Sequence, residues 1–158
     1  MPLSGKKVAF IGAGNMAEAM IRGLLKAEAI PAEDVLATGR RAERLDTLKE
    51  RYGLSTFLNN SEAAAIADVV VLAVKPQILG KIIDEISASI RPDALVVSVA
   101  AGIGISQIAE RLAEGSHICR AMPNMSSVVG AGAAAFVCSD TMTAEDTDMA
   151  QTLFESCG

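Results

Sequence analysis

Phe10-Ile11-Gly12-Ala13-Gly14-Asn15-Met16-Ala17 is the stretch on which the fold turns. It closes the apolar run Lys7-Val8-Ala9-Phe10-Ile11, which reads as a short buried strand. It also opens a helical pattern, because Met16, Met20, Gly23, Leu24 and Ala27 recur at helical spacing as far as about Glu28. Between strand and helix, Gly12 to Ala17 fits G-x-G-x-x-A. The first glycine allows a tight turn, and the second lets the backbone approach a pyrophosphate. The small Ala17 lets helix and strand pack closely. Amides at the start of the helix then face negative charge, which the helix dipole favours. In this setting the motif reads as a dinucleotide-binding turn rather than a plain turn that starts a helix.

Outward from this loop, strands and helices alternate with short connections. Ile30-Pro31 ends the first helix, and Val35-Leu36-Ala37-Thr38 is a second strand. A helix follows from Arg41 to Tyr52, with Gly53 in the position helices favour for a C-terminal glycine. A weak strand at Ser55-Thr56-Phe57 precedes a helix opening at Asn60-Ser61-Glu62. Asp68 to Val74 is the strongest strand, stopped by Lys75-Pro76, and a helix spans about Gln77 to Ser89. Leu95 to Val99, a helix from Ser106 to Glu114, and a strand from His117 to Met122 come next. Gly130 to Val137 reads as a last strand, and Thr143-Ala144-Glu145 opens a final helix. This alternation predicts an α/β fold of Rossmann type: a doubly wound, mostly parallel sheet with helices on both faces. One domain over 1–158 is expected. The chain stops directly after a helical pattern, so it reads as cut.

Composition agrees. Apolar residues make up 51% of the 158 residues and aromatic ones 3%, with no Trp. A core of small and branched aliphatic side chains suits strands buried on both faces. Net charge is −5, with no Lys/Arg block, which argues against a nucleic-acid partner. No apolar stretch reaches the roughly 20 residues of a membrane helix. The run after Lys6-Lys7 breaks at Gly12-Ala13-Gly14 and is not a signal peptide, so a cytoplasmic location is expected. Cys119, Cys138 and Cys157 are odd in number and widely spaced, and read as small buried or incidental thiols. The single histidine, His117, cannot make a zinc site with Cys119 alone and reads as structural. No metal is expected.

The end of the second strand bears on cofactor choice. An NAD-preferring site usually carries Asp or Glu there for the ribose 2′-hydroxyl. Here the residues are Thr38-Gly39-Arg40-Arg41. No carboxylate repels a 2′-phosphate, and two guanidiniums can pair with it. NADP is therefore expected ahead of NAD.

Four segments together resemble the pyrroline-5-carboxylate reductase family: Phe10 to Ala17, Ala73-Val74-Lys75-Pro76-Gln77, Ser98-Val99-Ala100-Ala101-Gly102, and Arg120-Ala121-Met122-Pro123-Asn124. The resemblance implies reduction of 1-pyrroline-5-carboxylate to proline with NAD(P)H. It implies that Gly12, Ala13, Gly14, Asn15 and Met16 hold the pyrophosphate, and that Thr38, Gly39 and Arg40 meet the adenosine ribose. Asn60 would contact the adenosine part, Ala73, Val74 and Lys75 would lie along the cofactor, and Ala101 near the nicotinamide. Pro123 and Asn124 would form part of the substrate pocket floor. All follow predicted strands, where open α/β sheets bind ligands at the carboxyl ends. Two departures stand out. Met125-Ser126 replaces the Thr-Pro usual after Pro123-Asn124. The helical domain that in the family pairs subunits into a dimer or higher homo-oligomer and binds the substrate carboxylate is absent.

The small-molecule substrate would thus be held by residues outside this chain, and no catalytic acid is assigned within it. Two other readings remain. One is a different imine or hydroxy-acid reductase of the 6-phosphogluconate dehydrogenase-like superfamily. The other is a non-catalytic nucleotide-binding module.

Overall fold

Val8–Ile11 forms β1, and its four residues are completely buried. In the computed structural model, which describes residues 2–122 and 135–156, β1 lies near the middle of a seven-stranded sheet. Its neighbours are β2 (Val35–Thr38) and β4 (Val69–Leu72), both parallel to it, with Val8 opposite Val35 and Val69. β3 (Ser55–Phe57) flanks β2, while β5 (Leu95–Ser98) and β6 (His117–Met122) continue the parallel sheet beyond β4. β7 (Ala135–Cys138) closes the far edge antiparallel to β6. The strand order is β3-β2-β1-β4-β5-β6-β7. The order reverses between β1 and β4, leaving a crevice at the carboxyl ends of those strands.

Side-chain alternation along β1 sends residues to two separate core layers. Val8 and Phe10 enter a cluster with Met20, Ile21 and Leu24 of α1 (Asn15–Lys26) and Leu153 and Phe154 of α6 (Ala144–Glu155). Ala9 and Ile11 enter the opposite cluster, with Ala63 and Ala64 of α3 (Asn60–Ile66), Leu79, Ile83 and Ile86 of α4 (Pro76–Ile86), and Ile108 of α5 (Ile105–Ala109). Each fully buried aliphatic side chain contributes about 1.5–3 kcal/mol of transfer free energy. The second helix, α2 (Ala42–Tyr52), lies between β2 and β3 in the chain and buries Leu45 and Leu48. Gly53 ends it at φ 78, the left-handed conformation in which a side chain would be strained.

Several boundaries differ from the sequence reading. The apolar run Asp68 to Val74 forms a strand only over Val69–Leu72; the Ala73 amide still donates to the Ile11 carbonyl at 2.9 Å, and Val74 beyond it packs beside Gly12. The helix expected from Ser106 to Glu114 is only Ile105–Ala109, and turns follow it. The first helix ends at Lys26, and Glu28 takes a positive φ of 55. The last strand begins its described part at Ala135, so 130–134 of the expected strand lie outside the described residues. The final helix opens where expected, with Thr143 capping α6 in a reciprocal box with Asp146. No helix among the described residues is long and apolar enough to cross a membrane.

Candidate functional site

The loop between β1 and α1 is shaped by its glycines. Gly12 has φ +102, and a Cβ there would stand 2.7 Å from the Ala73 carbonyl oxygen and 2.9 Å from Val74 Cγ1. Only glycine fits where this turn crosses the end of β4. Gly14 is different. Its backbone is extended, and a Cβ there would meet nothing within 4 Å. It faces open space at the start of α1, where no side chain caps the helix. The first amides of such a helix have no partner within it. Gly14 and Asn15 are exposed, so this end can receive an anion. Gly39 lets the next turn close against the loop, since its Cβ would come within 3.3 Å of Ala13 Cβ.

Thr38 stands at the carboxyl end of β2, yet its side chain is buried rather than presented to solvent. The Gly12 amide donates to Thr38 Oγ1 at 3.2 Å, and Thr38 Oγ1 donates to Asn60 Oδ1 at 2.5 Å. The Asn60 amide group in turn donates to Glu85 Oε1 at 3.3 Å. Thr38 and Asn60 therefore act on the glycine loop from behind. Asn60 is not the cap of α3; Asn59 is, accepting from the amides of Ser61 and Glu62.

Arg40 and Arg41 are exposed just beyond β2, with no ion-pair partner among the described residues. Arg41 occupies the uncapped N-cap position of α2. Lys75 occupies the N-cap position of α4 without a capping side-chain bond, ahead of Pro76, which takes the first helical position that proline favours. Lys75 is exposed, Ala73 and Val74 are half-buried, and Ala101 is exposed after β5. Gly12 to Met16, Gly39 and Arg40, Ala73 to Lys75 and Ala101 thus follow the adjacent strands β1, β2, β4 and β5 along one edge of the sheet. Pro123 and Asn124 lie outside the described residues.

One network at the loop was missed by sequence reasoning. Arg44 of α2 donates through Nε to the Ala13 carbonyl at 2.8 Å and through Nη2 to the Gly14 carbonyl at 3.4 Å. The same Nη2 donates at 2.8 Å to Glu18 Oε1, on α1. Glu18 is buried, and its other oxygen accepts from Arg51 at 2.5 Å and from the Tyr52 hydroxyl at 2.6 Å. The hydrogen bond from Tyr52, followed by those from Arg44 and Arg51, holds this carboxyl at about 2 despite its burial. An acid in the first turn of α1 would otherwise repel an anion at the helix end. Here two guanidiniums absorb its charge, and one of them also grips the loop. A periodicity-based reading treats Arg44 as surface because the contact joins residues far apart in sequence.

A separate cavity of about 180 Å³ lies away from the loop, lined by Lys6, Asp68, Arg91, His117, Asp146 and neighbours. His117 Nδ1 stands 2.6 Å from Asp146 Oδ2 there, where β6 meets α6. Lys6 pairs with Glu145, and Arg91 with Asp68. These contacts join strand and helix ends and serve the structure.

The fold and the glycine loop define a Rossmann-type domain for a nicotinamide nucleotide. The chain belongs to the family described as NADP oxidoreductase, coenzyme F420-dependent, whose model matches residues 7–102. The pyrroline-5-carboxylate reductase of Escherichia coli is 35% identical over 153 residues, covering 97% of this chain and 57% of that protein. The solved structure of a pyrroline-5-carboxylate reductase from Coxiella burnetii has a TM-score of 0.90 at 35% identity, covering 97% of this chain and 57% of that one. The Plasmodium falciparum pyrroline carboxylate reductase structure, with NADP bound, has a TM-score of 0.84 at 27% identity, covering 97% and 55%. The resemblance read from four segments therefore extends over nearly the whole chain. The chain spans little more than half the length of the curated relatives it matches.

Proposed function

We propose that this chain is the cofactor-binding part of an NADP(H)-preferring pyrroline-5-carboxylate reductase. The observation that carries the reading is the similarity to such reductases over 97% of the chain. The loop fits the cofactor on its own evidence, because Gly14 opens onto free space beside an uncapped helix end. Gly12 to Met16 hold the pyrophosphate with backbone amides, and Arg44 keeps the loop carbonyls turned away from it. Arg40 and Arg41 favour a 2′-phosphate, since both are exposed cations at the end of β2 and no carboxylate stands among 38–41. Thr38 and Asn60 set the loop from behind, Thr38 at the ribose end and Asn60 toward the adenosine part. Ala73, Val74, Lys75 and Ala101 flank the crevice toward the reacting end, and Pro123 and Asn124 belong to the substrate pocket.

A bound nicotinamide supplies hydride to the C=N carbon of the substrate. The task of this chain is to hold that ring in one place, since a misplacement of 1 Å can cost about a hundredfold in rate. The parts that pair subunits and hold the substrate carboxylate lie outside these 158 residues. The test compares this chain with a version extended to the length of its relatives. Both are expected to bind NADPH more tightly than NADH by calorimetry, and only the extended version should oxidise NADPH when 1-pyrroline-5-carboxylate is added. Equal affinities would remove the 2′-phosphate argument. Comparable turnover in both would place the substrate site within this chain.

A further inference from the structure

β7 runs antiparallel to β6 with Cys138 directly opposite Cys119. The Ser139 amide donates to the Ile118 carbonyl at 2.8 Å, so the ladder bond belongs to the neighbouring pair and the two cysteines form a non-hydrogen-bonded pair. At such pairs the Cα atoms approach to about 4.5 Å and both side chains leave the sheet on one face. A disulfide spans about 4.4–6.8 Å between Cα atoms. Cys119 is fully buried, in the core layer shared by α1 and α6, whereas Cys138 is exposed, and both thiols are free. Sequence spacing treats these residues as incidental thiols because it hides the register that sets them face to face. Of the thiols read as buried or incidental, Cys119 is buried and Cys138 is exposed.

We propose that Cys119 and Cys138 are an oxidative modification site, closed to an intrachain cross-strand disulfide by a low-molecular-weight disulfide of the glutathione type. The proposal stands on the register of β6 and β7 and does not depend on the reductase reading. The exposed Cys138 thiolate attacks one sulfur of oxidised glutathione, forming a mixed disulfide and releasing one glutathione. Cys119 then attacks Cys138 Sγ, forming the protein disulfide and releasing the second glutathione. Two protein thiols are oxidised, one small disulfide is reduced to two thiols, and the two thiol protons pass to the glutathiones. Burial pushes the Cys119 thiol up to about 12, so it is the resolving partner and not the first attacker. Its placement opposite Cys138 makes the second step intramolecular, which offsets a small thiolate fraction. The bond pins the edge strand to the sheet, and its exposed sulfur leaves it open to reduction again.

The experiment uses the chain with Cys157→Ser, so that only these two thiols remain. It is treated with oxidised glutathione, alkylated, and digested with trypsin. Cleavage after Arg120 puts Cys119 and Cys138 on separate peptides. The expected product is a linked peptide pair with neither thiol alkylated, reversed by dithiothreitol, and a Tm raised by about 5–10 °C. Adding Cys119→Ala should arrest the reaction at one glutathione on Cys138, with no rise in Tm. Should that variant fail to fold, Cys138→Ala serves instead and is expected to take up no glutathione. The proposal is overturned if the two-thiol chain stops at a mixed disulfide, stays reduced, or links only between molecules. Glutathione on Cys119 in the Cys138→Ala variant would overturn it as well.

Discussion

Gly12 and Gly14 sit two residues apart and are glycines for unrelated reasons, so their variants should part company. At Gly14 the backbone suits any residue and the added atoms enter open space. Gly14→Val is therefore expected to keep its Tm within about 2 °C of the parent, since a surface change away from special features costs about 0.5 kcal/mol or less. NADPH binding followed by fluorescence titration should be lost. Retained binding would remove the loop from its role. At Gly12 the left-handed backbone and the Ala73 carbonyl 2.7 Å away leave no such separation, and stability and binding fail together. The two glycines were legible in the sequence because a motif has fixed spacing. Arg44 was not, because its partners Ala13, Gly14 and Glu18 are roughly thirty positions away in the chain and meet it only once α1 and α2 pack. Arg44→Met should raise the NADPH dissociation constant about tenfold, worth about 1.4 kcal/mol. Hydrogen exchange should quicken at the amides of 13–16. Unchanged affinity and exchange would reduce Arg44 to a plain ion-pair partner of Glu18.

Among the elements, α1 and α2 are joined through one buried carboxylate. The Tyr52 hydroxyl and the Arg44 and Arg51 guanidiniums hold the Glu18 carboxyl at about 2, below its ordinary value of 4.5. Its stabilisation is thus fully present above about pH 4.5 and is lost as pH falls toward 2. Glu18→Gln should cost about 2–3 kcal/mol in urea unfolding at pH 7, the lower side of a broken buried pair because Arg51 can turn to water. The gap between variant and parent should close on acidification through that window. A gap that persists at pH 2 would mean that packing, not charge, carries the effect. The elements themselves were largely legible, since β1 and β4 are unbroken apolar runs and β2 and β5 are apolar up to the Thr38 and Ser98 that end them. Where the reading overshot, tertiary geometry decided. Val74 is as apolar as its neighbours but is drawn out of the ladder beside Gly12, and α5 stops at Ala109 although the pattern continues. The face-to-face cysteines show the same limit, because register across an antiparallel pair is invisible along the chain.

At the scale of the whole molecule, the order of the strands in the sheet is not their order in the chain. β1 is the first strand of the chain, yet it is enclosed between β2 and β4, with Val8 opposite Val35 on one side and Val69 on the other. During synthesis, then, the strand that leads into the glycine loop waits with one edge unpaired until residue 72 has left the ribosome. The Ala73 carbonyl that closes over Gly12 comes only after that. Pairing across such a separation forms late, after the closure entropy of the long intervening segment has been met. A nascent chain arrested at residue 66 should leave the β1 amides open to exchange, whereas one arrested far enough on to release β4 and α4 should protect them. For the interval between those two lengths, Val8-Ala9-Phe10-Ile11 is an apolar edge available to any passing strand. The strand that leads into the glycine loop is also the one whose second edge waits longest for its partner while the protein is being made.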